Sequence, residues 1–547
     1  MCFKTVFLIS LLIISFNKCH SIDSRVDPLV DTKVGLIRGL KAEDGDYSMF
    51  LGIPYGKVEE SNPFGPSLPQ ETFEEIFEAY DDSAICPQIE EFNKTNTGTL
   101  DCLHLNIYVP DVASTKSPVP VLVWIYGGGF QIGFAGRFLY GPKYFVRHDI
   151  ILVTVNYRVG PYGFMCLNDP KVPGNQGFKD QLLALRWIKD NIGSFGGNSN
   201  KITLFGESAG GISVDYHLLS RQEKLFNNLI IQSGTSLLPS LIGEPESTRT
   251  FNLAAKLGFE SDDLNEALAF LANQSPNSVI AAMQGTDRFL PCVENDYENV
   301  DKFIFDYTFN LDIPKVKNVA ILIGHNSDEK LPYYIMEENI DYFEHVDIFH
   351  DKFNDAFNLN STELTNVINN FKHFYIGDEE ISEQVQSDLI DFDSDFTYIH
   401  PTQRSIKQYT DNNAGDIFYY MFSYNGGRNF VKKRLNVTFG GAAHADEIGY
   451  LFDISYMKDE PSHEDQLVID RMTTLWANFV KYSKPMPEIS DLLPVDWKPV
   501  EDNLLHYLEI DSELTLKKRP FNKRMAFWDL FYRHNYKLQK GYRSRNN

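Results

Sequence analysis

The stretch "TLFGESAGG", residues 203–211, places a serine between small residues directly after an apolar run. Residues 201–205 are short, apolar and partly β-branched, which reads as a buried strand. After Ala209, the residues Ile212, Val214, Leu218 and Leu219 recur at roughly helical spacing. Strand, sharp turn and helix, with Ser208 at the corner, is the setting of a nucleophile elbow. Gly206 and Gly210 suit it because so tight a backbone leaves no room for a β-carbon beside the serine. A small-residue turn opening a helix would carry the same five letters, so the surrounding sequence has to decide.

Outward from this point, strand-like and helical runs alternate. Residues 119–126 (VPVLVWIY), 150–158 (IILVTVNYR) and 228–234 (NLIIQSG) read as strands. Residues 175–192 form an amphipathic helix, apolar at Leu182, Leu183, Leu185, Trp187 and Ile188. Residues 319–324 and 416–424 continue the strand series. The alternation predicts an α/β fold: a large, mostly parallel central sheet flanked by helices. Between the last two strands, roughly residues 330–400, lies a helical, lid-like region. Its most charged part, "IGDEEISEQVQSDLIDFDSDF", reads as a solvated face.

A serine nucleophile needs oxyanion donors, a carboxylate and a base, found on loops beyond the carboxyl ends of strands. "WIYGGGF" sets Gly127, Gly128 and Gly129 directly after a strand, free to aim backbone N–H groups at a developing charge. "VAILIGHNSDEK" offers Asp328 and Glu329 as acids, and spacing alone does not choose between them. Of thirteen histidines, His444 stands apart, because "FGGAAHADE" puts Gly440, Gly441, Ala442 and Ala443 before it and leaves space for a substrate. Ser208, acid, histidine is the chain order of this fold class. No His/Cys/Asp cluster has metal-ligand spacing, so neither metal nor cofactor is expected.

Bulk properties narrow the setting. The chain has 547 residues and a net charge of −25, which argues against nucleic acid as a partner. Residues 1–21 place one lysine, Lys4, before an apolar run too short to span a bilayer, with small or polar residues after it, which reads as a signal peptide. Residues 22–547 follow as one domain, with no membrane anchor expected and the oligomeric state left open. Sequons at Asn93, Asn273, Asn360 and Asn436 agree with a secreted glycoprotein. Outside the leader lie four cysteines. Cys86 and Cys102 bracket a polar loop that a disulfide could close, whereas Cys166, in the apolar "GFMCL", reads as a buried free thiol.

From about residue 27 to 535 the sequence resembles the type B carboxylesterases, which include the cholinesterases, within the α/β-hydrolase fold. The motifs that carry the likeness include "DCLHLNIYVP", "WIYGGGF", "VNYRVGPYGF", "ITLFGESAGG" and "GAAHADEIGYLF". The resemblance implies Ser208 as nucleophile, Glu329 rather than Asp328 as acid, and His444 as base. It implies oxyanion donors at Gly128, Gly129 and Ala209, a disulfide between Cys86 and Cys102, and an Arg158–Asp180 ion pair. Two features depart from the family. An Arg-Phe pair expected near "GIPYGKVEESNPFGPS" and its acidic partner are both missing, which points to a repacked N-terminal region. The family's second disulfide has no evident pair, since only Cys292 lies nearby.

The expected function is that of a secreted serine esterase acting on a small-molecule ester. The rival is a non-catalytic adhesion or binding module of the same fold, but such relatives usually lack a triad member, and this chain keeps all three. The ester expected is neutral and fairly hydrophobic, not acetylcholine, which leaves detoxification or hormone- and odorant-ester turnover. The loop from Cys86 to Cys102 has Phe92 as its only aromatic residue and no tryptophan to hold a quaternary ammonium.

Overall fold

A computed structural model describes residues 28–285, 288–335 and 347–543. The leader expected over residues 1–21 lies outside them. The architecture is an eleven-stranded sheet whose strands, in chain order, we number β1 (Leu40–Lys41), β2 (Tyr47–Pro54), β3 (His104–Pro110), β4 (Val119–Ile125), β5 (Ile151–Val155), β6 (Gly197–Glu207), β7 (Asn228–Gln232), β8 (Ile321–Asn326), β9 (Ile417–Phe422), β10 (His506–Ile510) and β11 (Leu514–Lys518). In space the order is β11-β10-β9-β8-β7-β6-β4-β5-β3-β2-β1. Every pairing from β5 to β10 is parallel. The margins are antiparallel, at β1, β2 and β3 on one side and β11 on the other.

The parallel centre follows from composition. Strands β5, β7, β8 and β9 are buried along their whole length, as strands covered by helices on both faces must be, and therefore read as continuous apolar runs. Helix α1 (Gln176–Asn191) buries Leu182, Leu185, Trp187 and Ile188, and helix α2 (Ala209–Leu219), which follows β6, is buried throughout. On α1, Asp180 is gripped by Arg158 through Nε and Nη2 at 2.7 and 2.8 Å, with both side chains fully buried. Arg158 Nη1 also donates to the carbonyls of Pro63 and Gly65, and Ser67 Oγ donates to Asp180. The shortened N-terminal stretch is thus fastened to this pair, which satisfies a buried arginine.

Two expectations are corrected. Cys166 is not a free thiol: it is bonded to Cys292, 126 residues away, while Cys86 pairs with Cys102. An apolar neighbourhood signals burial of a sulfur, and a buried thiol and a buried disulfide look alike to it. The acidic stretch is a solvated face only in its first part, since Asp378, Glu379, Glu380, Glu383 and Asp388 are exposed whereas Asp393 and Asp395 are buried. Helix α3 (Ile348–Ala356), helix α4 (Ser361–Tyr375), helix α5 (Gln386–Ser394) and a π-helical turn at Asp395–Ile399 pack with the late helix α6 (Asn522–Asn535) into a second core. Within it Leu389, Phe392, Asp393, Asp395 and Phe396 are buried, while residues 377–380, Glu383, Gln384, Ser387 and Asp388 are exposed.

Candidate active site

At the end of β6 the chain reverses through Ser208, whose φ of 57° and ψ of −124° lie outside the ordinary regions for a side-chain-bearing residue. The turn is that tight because α2 lies on the strand. A β-carbon on Gly206 would fall 2.3 Å from the backbone of Gly210, and one on Gly210 would fall 2.0 Å from the carbonyl oxygen of Ile125. Ser208 is thereby lifted above the carboxyl edge of the sheet.

His444 and Glu329 arrive from loops after β9 and β8. His444 Nε2 lies 2.8 Å from Ser208 Oγ, and its Nδ1 lies 2.6 Å from Glu329 Oε2. Glu329 is fully buried, and its Oε1 accepts from Ser233 Oγ at 2.6 Å and Asn326 N at 2.7 Å. A carboxylate can only accept, so Nδ1 carries the imidazole proton and Nε2 is left to accept from the serine hydroxyl. Asp328, the other acid of the sequence, is turned away. Its carboxylate accepts from Gly441 N at 2.7 Å and so holds the loop before His444.

Opposite the serine, Gly128 and Gly129 have φ of 111° and 59°, which glycine adopts readily. No acceptor for their N–H groups is found among the described residues. The N–H of Ala209 opens α2, where the first turn has no intrahelical acceptor. Burial works against charge on Glu329, but His444, Ser233 and Asn326 outweigh it and hold its pKa below the usual carboxylate value. Burial likewise lowers the His444 pKa, against which Glu207 and then Glu329 raise it, so a proton on the imidazole is favoured once it arrives. Glu207 Oε1 stands 3.3 Å from Nε2, yet burial holds its own pKa well above the ordinary range. Of the two carboxyls, Glu329 also binds the imidazole Nδ1, whereas Glu207 Oε1 makes no hydrogen bond. Such a chain can take a proton from a hydroxyl and stabilise the imidazolium that results.

A model of the carboxylesterase family matches residues 26–528. The chain belongs to the carboxylesterase family. It is similar to Esterase FE4 of Myzus persicae, at 30% identity over 86% of each chain. The Cholinesterase of Mus musculus is 30% identical, with 96% of this chain and 89% of that one covered. The crystal structure of Juvenile Hormone Esterase from Manduca sexta, with OTFP covalently attached, superposes with a TM-score of 0.83 at 26% identity, over 93% of this chain and all of that one. The fold is the α/β-hydrolase fold, and the protein is a carboxylic ester hydrolase.

Several residues of this carboxylesterase's site were not singled out from the sequence. Glu447 accepts from Gln232 Nε2 at 2.7 Å and Asn326 Nδ2 at 2.5 Å, and burial, then repulsion from Glu329, raises its pKa to about 7. Trp476 Nε1 donates to Gln232 in turn. Tyr398, from the π-helical turn, stacks on His444 with ring centroids 4.6 Å apart. Glu207 sits inside the quoted motif, so its place was legible. Glu447 likewise sits in the quoted stretch, three residues after His444, whereas Ser233 and Tyr398 are brought to the triad only by the closed fold.

Proposed function

We propose that this carboxylesterase acts through an acyl-enzyme on Ser208. As Oγ bonds to the ester carbonyl carbon, its proton passes to His444 Nε2, and Glu329 stabilises the imidazolium. The tetrahedral oxyanion is held by the N–H groups of Gly128, Gly129 and Ala209. Collapse breaks the bond to the alcohol, which leaves with the proton from His444. Water then repeats the sequence on the acyl-enzyme, and the acid departs. The observation that carries this reading is the unbroken line from Glu329 through His444 to Ser208.

The substrate we propose is a neutral, fairly hydrophobic ester of xenobiotic, hormone or semiochemical type. Phe92, the one aromatic residue of the disulfide-closed loop, packs on Phe138 and Tyr456, and the Arg434 guanidinium already lies 5.9 Å from its ring centre. A second cation there would meet a like charge. All five tryptophans, Trp124, Trp187, Trp476, Trp497 and Trp528, are buried within the cores. Export is part of the proposal, with Asn93, Asn273, Asn360 and Asn436 as glycosylation sites. Its support is the pair of disulfides, which persist in oxidising compartments, and the exposure of all four asparagines. Among the described residues no helix is long and apolar enough to cross a membrane.

The test is kcat/KM for a nitrophenyl or naphthyl ester against acetylthiocholine, together with mass spectrometry after organophosphate treatment. We expect a large preference for the aryl ester and one adduct per chain, on Ser208. A preference for the choline ester would remove the substrate reading, and a label elsewhere would remove the mechanism.

A further inference from the structure

Asp393 is a carboxylate sunk in an aromatic core, where an unpaired charge would be costly. What surrounds it shows why it is there. One oxygen faces Lys330 Nζ at 3.5 Å; the other binds Lys352 Nζ and Thr397 Oγ1, each at 2.8 Å. Burial works against its charge, but the two lysines prevail and hold its pKa below the ordinary aspartate value. Lys330 directly follows the triad acid Glu329, and its own N–H donates to Ser394 Oγ at 3.0 Å. Its ammonium is further fixed 3.3 Å from the centre of the Tyr333 ring. Thr397 directly precedes Tyr398, whose ring lies on the imidazole of His444. The π-helical turn Asp395–Ile399 brings this about, since the extra residue in the turn re-aims the side chains that follow Asp393.

The geometry points to Asp393 as a positioning residue that registers both the acid and the base of the triad to one helical segment, through Lys330 on one side and through Thr397 and the Tyr398 ring on the other. The inference rests on the triad reading above. Neither Asp393 nor Lys330 touches the reacting atoms. They act by fixing the Glu329–Lys330 peptide and the face against which His444 stands. A misplacement of about 1 Å between base and nucleophile costs on the order of a hundredfold in rate.

Two substitutions separate this from ordinary packing. Asp393→Asn keeps an acceptor for Thr397 and loses the hold on both lysines. Tyr398→Leu removes the stacked ring without leaving a buried charge behind. Each variant is titrated with an organophosphate to count reactive Ser208, and kcat is then expressed per titrated site. We expect site counts equal to the parent, kcat lower by about 10- to 100-fold and KM within about threefold. Tyr398→Phe, which keeps the ring, should recover the parent kcat within about twofold. Parent-like kcat per site in Asp393→Asn overturns the proposal, as does parent-like kcat in Tyr398→Leu or damage by Tyr398→Phe equal to that by Tyr398→Leu. Should Asp393→Asn lose titratable sites instead, Tyr398→Leu and its rescue by phenylalanine still decide. A parent enzyme labelled away from Ser208 would remove the triad reading itself, which is a different result.

Discussion

On the sheet side of the molecule, β4, β5, β7 and β8 bury mostly aliphatic side chains against α1 and α2, and Ser208 rides on backbone geometry. On the helical side, α3, α4, α5 and α6 pack Phe349, Phe353, Phe371, Phe392, Phe396 and Trp528 together. That packing encloses the ion pairs of Asp393 with Lys330 and Lys352, and of Asp395 with Arg524. The two cores meet at the triad. Ala442 packs in the first and Ala443 in the second, with His444 next in the chain; Leu331, two residues after Glu329, also packs in the second. Ser208 is therefore held by one body, while its acid and base are set where that body meets the other. Precision on the sheet comes from close backbone contact, and on the helical side from rings and buried charge.

The comparison is tested most severely at the serine. Ser208→Ala should lower hydrolysis of an aryl ester by about a millionfold, as loss of a triad nucleophile does. Its thermal unfolding should match the parent, because a truncated side chain at an exposed turn opens no core cavity. Substantial activity in this variant would break the assignment. Glu329→Gln should cost about ten-thousandfold in kcat, the scale seen when an orienting acid is replaced by its amide. Its pH profile carries a sign. The Glu329 charge raises the imidazole pKa, so its removal lowers that pKa and moves the acid limb of kcat/KM to lower pH. An acid limb moved upward would contradict the electrostatics.

Phe353→Ala probes the other body. Its ring contacts Phe371, Phe396, Phe531 and Trp528 and is fully buried, so truncation should destabilise by about 3–5 kcal/mol in denaturant unfolding. If the two cores unfold as separate steps, only the transition that includes the helices should move. The smallest effect is expected at Glu207. Glu207 raises the imidazole pKa but its Oε1 makes no hydrogen bond, so Glu207→Gln should change kcat by less than about tenfold and move the acid limb of kcat/KM to lower pH. An acid limb moved upward by Glu207→Gln would contradict that charge.

Much of the sheet side was legible because its signals are local. Runs such as "VPVLVWIY" and "IILVTVNYR" announce strands covered on both faces, and Gly206, Ser208 and Gly210 announce the turn. The outermost antiparallel strands were missed, since β1 has two residues and β11 is mixed in polarity. The helical side misled at Asp393 and Asp395, because an acid looks solvated wherever its partners are out of view. Lys330, Lys352 and Arg524 lie between about 40 and 130 residues from the aspartates they neutralise.

The sequence by itself determined the α/β-hydrolase sheet, the elbow at Ser208, the glycines facing it and the order of serine, acid and histidine. These rest on periodicity, on steric room and on which residue types can move protons, all properties of neighbours along the chain. Spacing left Asp328 and Glu329 open and only the resemblance favoured Glu329; tertiary structure alone decided that Asp328 holds the loop before His444, that Cys166 meets Cys292, and that Asp393 and Tyr398 stand behind the acid and the base. Adjacent residues point in different directions, and the free energy of a buried charge or a disulfide depends on partners that only the closed chain brings within a few ångströms.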